Sequence, residues 1–373
     1  MVKSQIGKQN ATNYLIQLDG LRFVAIALVL VDHFTAAINK IPIGPLGVNL
    51  FFVLSGFLIT RILITSRQKF KDEPGGFRQY FKRFFIRRSL RIFPVYYLCI
   101  LVLFVFDVPP VREKISWFVL YGSNIYMALH QTWMGVVDHF WSLSVEEQFY
   151  IIFPLVIFFL PKKWLVPAFV MMLAGSIVFR LYFFLAGYNW IVNYVSMPAC
   201  LDAFGLGAFM AWLLLFRPEQ YKKLFGSNYG VLLGLLFWAG IVYWSKTFDQ
   251  PKNIATDVWE RLAGAVFCFF LIGKGVLGYG GAMKLFLENS IVLYLGKISY
   301  GLYAYHNLVY NHFHSPPTHP TLRALRKIEQ IVPAVAHNIV FESVFFFLVT
   351  VMVASLSWYL MEKPINGLKD RWT

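Results

Sequence analysis

The chain has 373 residues, 58% of them hydrophobic and only 14% charged, where a soluble globular chain carries about 25% charged residues. That balance excludes a soluble domain, a disordered chain and a collagen, and it points to a polytopic membrane protein. The 34 Lys and Arg against 19 Asp and Glu leave a formal charge of +15, a surplus that cytoplasmic loops of membrane proteins commonly hold. Cys99, Cys200 and Cys268 all lie in apolar runs, a scatter that fits core packing rather than a disulfide framework or a zinc site.

A helical crossing of the bilayer core needs about 20 mostly apolar residues. Ten runs approach that length: 15–38, 46–65, 92–108, 145–161, 164–187, 192–216, 229–245, 256–277, 287–310 and 338–361. The first has no small-residue cleavage site after it, so it is expected to stay as a helix rather than leave as a signal peptide. A shorter stretch, Ile115 to Leu129, is broken by Gly122, Ser123 and Asn124 and reads as re-entrant or interfacial. No repeat and no Gly/Ser linker divides the chain. The expected fold is therefore all-α, a polytopic bundle of about ten transmembrane helices in one domain over 1–373, its membrane region covering about 15–361.

Loop charge sets the expected orientation, because short cytoplasmic loops retain Lys and Arg. The segment 61–91 holds ten basic residues, so it is placed in the cytoplasm, and ten crossings then put both termini there. Basic residues are more than twice as numerous in the inside segments as in the outside loops. Arg323, Arg326 and Lys327 run against the rule, in a long outer loop.

Ionisable side chains inside a bilayer cost at least about 2.5 kcal/mol each on insertion scales, which makes each a functional candidate whose partner must be found. Arg180 and Asp202 read as a structural pair on neighbouring helices. Arg22 and His33 are eleven residues apart, which at about 100° and 1.5 Å per residue places them on one face of the first helix, separated by about 16 Å. Glu146 and Gln148 fall at the outer end of the fourth run and His306 near the outer end of the ninth. Asp32 or Glu146 is thus a candidate partner for His33, and a carboxylate beside an imidazole makes a general base for a hydroxyl.

On the opposite side, Lys82 to Arg91 reads as an amphipathic helix feeding the third crossing. Arg83, Arg87 and Arg91 recur every four residues, with Arg88 three before Arg91, a spacing that gathers guanidinium groups on one face. Such a cluster suits phosphate or anionic lipid head groups. The charges hug the membrane and no nucleic-acid reading module is present, so nucleic acid is not an expected partner.

Six ordered blocks now carry a resemblance: Leu18-Asp-Gly-Leu-Arg22 with His33, Asn49 to Thr60, Arg87-Arg-Ser-Leu-Arg-Ile-Phe-Pro94, Trp141-Ser-Leu-Ser-Val-Glu-Glu-Gln-Phe-Tyr150, Ser299-Tyr-Gly-Leu-Tyr-Ala-Tyr-His306 and Glu362-Lys-Pro364. From about 15 to 365 the chain resembles the acyltransferase 3 family of polytopic membrane O-acyltransferases. The resemblance implies transfer of an acyl group, commonly acetyl, from cytoplasmic acyl-CoA to a hydroxyl of a carbohydrate or glycolipid, in the plasma membrane, the inner membrane in a bacterium. No permanently bound cofactor or metal is implied; acetyl-CoA is the expected donor substrate.

Carried over by position, His33 is the expected base, Arg22 a donor-side residue and Arg88 and Arg91 parts of the donor-binding motif; the charge pattern adds Arg87 to the donor-binding residues and Asp32 or Glu146 as the group expected to hold His33. Ser142, Asn124, Tyr300 and Tyr303 are candidate donors to a developing oxyanion, and His306 is a further candidate. Some members fuse an extracytoplasmic esterase-like domain. The last expected crossing here is followed by about ten residues, so a membrane domain without that extension is expected. The alternative is a proton-coupled transporter, since buried Asp, Glu and His also make proton relays, although the inverted repeats many transporters carry are not visible. His312, His314 and His319 are spaced closely enough to share a metal, yet lie among Pro316, Pro317 and Pro320 and read as a solvated loop.

Overall fold

The computed structural model describes residues 14–247, 253–311 and 318–369, and among them every regular element is a helix. The principal helices are α1 (Ile16–Phe34), α2 (Ile43–Phe70), α3 (Gly76–Val105), α4 (Ser123–His130), α5 (Phe140–Phe159), α6 (Leu165–Leu185) and α7 (Leu201–Phe216). They continue with α8 (Tyr229–Thr247), α9 (Glu260–Leu277), α10 (Ser290–Lys297), α11 (Ser299–Tyr310), α12 (Pro320–Ile331) and α13 (Ile339–Ser357).

Among the described residues seven helical segments are long and apolar enough to cross a membrane, and eight if α9 is joined to the following turn of helix across a 90° bend. Two of the ten expected runs fall outside that set for identifiable reasons. Helix α1 carries Asp19, Arg22 and Asp32 within 19 residues. The run 287–310 is split at Ile298 into α10 and α11. Both interruptions belong to the polar site described below, where Asp19 and Ile298 are buried and Arg22 and Asp32 are half-buried against protein, a setting that polar groups need within a membrane.

Helix α2 is the hub. Its most apolar window is 72% buried, against 17% for those of α6, α8 and α13, so the latter three present their apolar side chains outward, as lipid-facing helices do. α2 packs most extensively on α7, then on α1 and α9. The α2–α7 approach is possible because Gly56 and Gly207 face each other's helix: a Cβ on Gly207 would press into the Val53 carbonyl and the Phe57 amide, the close contact that small residues permit between membrane helices.

The expected basic loop 61–91 is largely helical. α2 runs on to Phe70 and α3 begins at Gly76, with Gly75 in the left-handed region at φ 69°, where a glycine costs least. Arg67 of this stretch is buried and its guanidinium donates to the carbonyls of Ile157 at 2.8 Å and Leu160 at 2.7 Å, closing the end of α5. The stretch 115–129 forms two short helices, Ile115–Val119 and α4, with Gly122 between them and Ser123 and Asn124 already in α4. Arg180 and Asp202 do pair, 2.8 Å apart and almost fully buried.

Candidate active site

Helix α1 supplies both ends of the site. Arg22 is held by an ion pair to Asp19 one turn earlier, whose carboxylate also accepts from the Tyr14 hydroxyl. Arg22 lines one cavity and His33 lines another, so the shared face expected from their spacing opens on two separate spaces.

The arginine cavity, about 80 Å³, is formed by α1, α2, α3, α5 and α11. Arg88 and Arg91 line it with Arg22, and Arg87 is exposed and lies off its walls. Arg83 sits over the Phe70 ring at 4.9 Å. A four-residue step overshoots a helical turn by about 40°, so the row Arg83, Arg87, Arg91 drifts around α3; the Arg88–Arg91 pair is what faces inward. The Arg88 guanidinium lies 4.6 Å from the Tyr150 ring centre. The Tyr150 hydroxyl donates to Ser55 Oγ at 3.1 Å, and Ser55 donates to Glu146 Oε1 at 2.7 Å. Glu146 thus belongs with the guanidinium groups.

The histidine cavity is larger, about 490 Å³, with Asp32, His33, Asn49, His139 and Tyr303 on its walls and Trp133, Trp141, Trp190 and Tyr194 forming an aromatic side. Arg261 stacks 5.6 Å from Trp141 and 5.3 Å from Tyr194 and donates to the Tyr194 carbonyl at 2.7 Å. His33 Nδ1 is 3.0 Å from His306 Nε2. His306 is fully buried and its Nδ1 lies 2.6 Å from the Tyr303 carbonyl oxygen. The His139 ring centre is 4.9 Å from that of His306, and His139 Nε2 donates to the Ala304 carbonyl at 3.2 Å.

The two carboxylates expected to meet His33 are therefore engaged elsewhere, Glu146 with Ser55 and Asp32 with the Asn39 side chain at 2.8 Å. An imidazole from α11 meets His33 instead. Asp32 is next to His33 on α1 and so points about 100° away from it, whereas Glu146 on α5 shares its depth without sharing its direction, which one helix's periodicity leaves open about another.

Tyr303 lines both cavities. Its hydroxyl is 2.6 Å from Ser142 Oγ, and each hydroxyl reaches the His139 carbonyl, at 3.0 Å from Tyr303 and 3.1 Å from Ser142. These two hydroxyls form part of the partition between the arginine and histidine cavities. Of the other candidate donors, Tyr300 lines the arginine cavity but donates to the Ile92 carbonyl at 2.9 Å. Asn124 is buried in a clasp with Gln148 and the Val195 carbonyl, away from both cavities.

His139, Ser55, Tyr150 and Arg261 had no assigned role in the sequence reading. Ser55, Tyr150 and His139 all stand in or beside the quoted blocks, but only packing shows what they touch. His139 precedes α5 and so lies outside any helical pattern. Asp138 beside it lines the histidine cavity, and burial pushes its carboxyl up to about 7, offset in part by the Met134 and Gly135 amides. His312 and His314 lie outside the described residues.

Apolar helices around a guanidinium-lined cavity and an imidazole-lined cavity define a multi-pass membrane protein with a polar site among its helices. The acyltransferase 3 model, described as an acyltransferase domain, matches residues 15–362, and the chain belongs to that family, which gives the buried charges a setting other than the transporter alternative. It is similar to the O-acetyltransferase OatA of Staphylococcus aureus strain NCTC 8325, 28% identical over 325 residues, covering 81% of this chain and 51% of the relative. It is also similar to a putative O-acetyltransferase of Staphylococcus aureus strain COL, 29% identical over 337 residues, covering 83% and 52%. The chain spans about half the length of these curated relatives. No solved structure matches it.

Proposed function

We propose that this chain is a membrane O-acyltransferase that takes an acyl group, acetyl in the simplest case, from acyl-CoA bound on the arginine side and delivers it to a carbohydrate hydroxyl on the histidine side. The observation that carries this reading is the junction at Tyr303 and Ser142, where a cavity lined by three arginines abuts one lined by an imidazole. Arg22, Arg88 and Arg91 supply fixed cations for the phosphates of the donor, and the arm of the donor runs along α1 over the roughly 16 Å rise toward His33. Aromatic faces across the histidine cavity suit the flat C–H face of a sugar ring.

His33 takes the hydroxyl proton as the acceptor oxygen attacks the thioester carbonyl carbon. The oxyanion that forms accepts from the Tyr303 or Ser142 hydroxyl. Collapse breaks the C–S bond, and the imidazolium returns its proton to the leaving thiolate, so the products are an ester and free CoA thiol. The setting is the plasma membrane with the arginine cavity toward the cytoplasm, where the donor is made.

The test is separate replacement of His33 and Arg88 by Ala in protein reconstituted in lipid, with acyl transfer and CoA binding measured on each. The expected result is that His33→Ala binds CoA but does not turn over, while Arg88→Ala binds CoA at least tenfold more weakly. Full turnover by His33→Ala would refute the base assignment. Mass spectra of surface glycans from cells with and without the chain identify the acceptor by a one-acyl difference.

A further inference from the structure

We infer that His306 is a positioning residue that fixes the tautomer of His33 and so decides which nitrogen acts as the base; this rests on the proposed role of His33. The argument starts from a group with only one capability. A backbone carbonyl oxygen accepts and never donates, so the Tyr303 carbonyl, 2.6 Å from His306 Nδ1, requires the hydrogen of neutral His306 to sit on Nδ1. His306 Nε2 then carries a lone pair. That nitrogen is 3.0 Å from His33 Nδ1, so His33 must donate there, and its own lone pair is placed on Nε2. His139 closes the cluster the same way, its Nε2 hydrogen directed to the Ala304 carbonyl at 3.2 Å.

A chain of two imidazoles anchored on one helix carbonyl thus orients the His33 ring through its Nδ1. The choice fits its surroundings. His306 is fully buried among helices, where a carboxylate would carry a heavy desolvation cost and a neutral imidazole presents an acceptor without a net charge. When His33 takes up a proton its Nδ1–H still points to His306 Nε2, so the hydrogen bond strengthens as charge develops on the donor.

The experiment has two readouts. In protein carrying ring-labelled histidine in lipid bilayers, solid-state NMR reads the tautomer of each imidazole, with the His33 signal assigned by its loss in His33→Gln. The expected form of His33 is Nδ1–H. In His306→Phe, which keeps a ring and loses the acceptor, His33 is expected to shift toward the Nε2–H form, and kcat to fall about a hundredfold or more with KM within about threefold. His306→Gln, whose amide oxygen can accept from His33, is expected to recover kcat to within about tenfold of the native protein, which loss of packing alone would not produce. An Nε2–H form of His33 in the native protein, or a His306→Phe variant with unchanged kcat, would overturn the inference. If the native protein transfers no acyl group, the proposed function fails while the NMR result still decides the tautomer.

Discussion

Replacing Tyr303 by Phe separates a structural role from a catalytic one, because the two make different demands. The hydroxyl takes part in a three-membered cluster with Ser142 Oγ at 2.6 Å and the His139 carbonyl at 3.0 Å. Two hydroxyl hydrogens serve three oxygens, so one hydroxyl donates to the carbonyl and the other donates to its neighbour. With Tyr303 reduced to Phe, Ser142 can still donate to the His139 carbonyl, its contact at 3.1 Å, and no buried donor or acceptor is stranded. The stability cost is then that of one net hydrogen bond, about 1 kcal/mol. An oxyanion donor is worth far more, about 10²–10³ in kcat when one is removed. The assay is thiol release from acetyl-CoA by protein in lipid nanodiscs with acceptor present, set beside thermal unfolding of the same preparation. Expected is a near-native unfolding midpoint with kcat reduced by two orders of magnitude, and a further loss when Ser142→Ala is added. Turnover of Tyr303→Phe within threefold of native would refute the idea that the partition hydroxyls stabilise the oxyanion.

Other outcomes follow from particular contacts. Asp202→Asn strands the guanidinium of Arg180, its partner at 2.8 Å in a nearly dry setting, and is expected to destabilise by about 3–5 kcal/mol, whereas the double change Arg180→Met with Asp202→Leu recovers most of the loss; thermal unfolding in detergent checks both. Gly207→Ala pushes a methyl group into the α2 backbone at Val53 and Phe57 and should lower the unfolding midpoint, while the same change at Gly240, which meets nothing nearby, should not. Arg88→Lys keeps the charge but loses the planar stack on Tyr150 seen at 4.6 Å, so CoA binding measured by calorimetry is expected between native and Arg88→Ala. Asp138 favours its protonated form in the folded protein, its carboxyl raised from 3.8 to about 7 by burial; the stability this gives is complete below pH 3.8 and lost as pH rises through 7. Asp138→Asn should therefore flatten the fall in unfolding midpoint between those values, and an unchanged slope would contradict the assignment.

The sequence by itself determined the class of fold, because a 14% charged chain with ten apolar runs can only bury its backbone as helices in a membrane. It also determined that Arg22 and His33 share a face of α1, since that relation lies within one helix and follows from 3.6 residues per turn. The Arg180–Asp202 pair was legible for a related reason: two opposite charges in neighbouring apolar helices have few other ways to avoid an unpaired burial. What the tertiary structure decided is whatever depends on rotation of one helix against another. Periodicity gave Arg87 and Arg91 one face of α3, yet the packing of α3 on α2 and α5 turns Arg88 and Arg91 to the cavity and leaves Arg87 exposed. Depth alone suggested Glu146 for His33, yet α11 brings His306 there instead. The break at Ile298 sets where α11 begins and with it the placement of Tyr303 and His306. A helix records its own stripe in its residues, but the azimuth at which it meets its neighbours is fixed only when all the side chains pack at once.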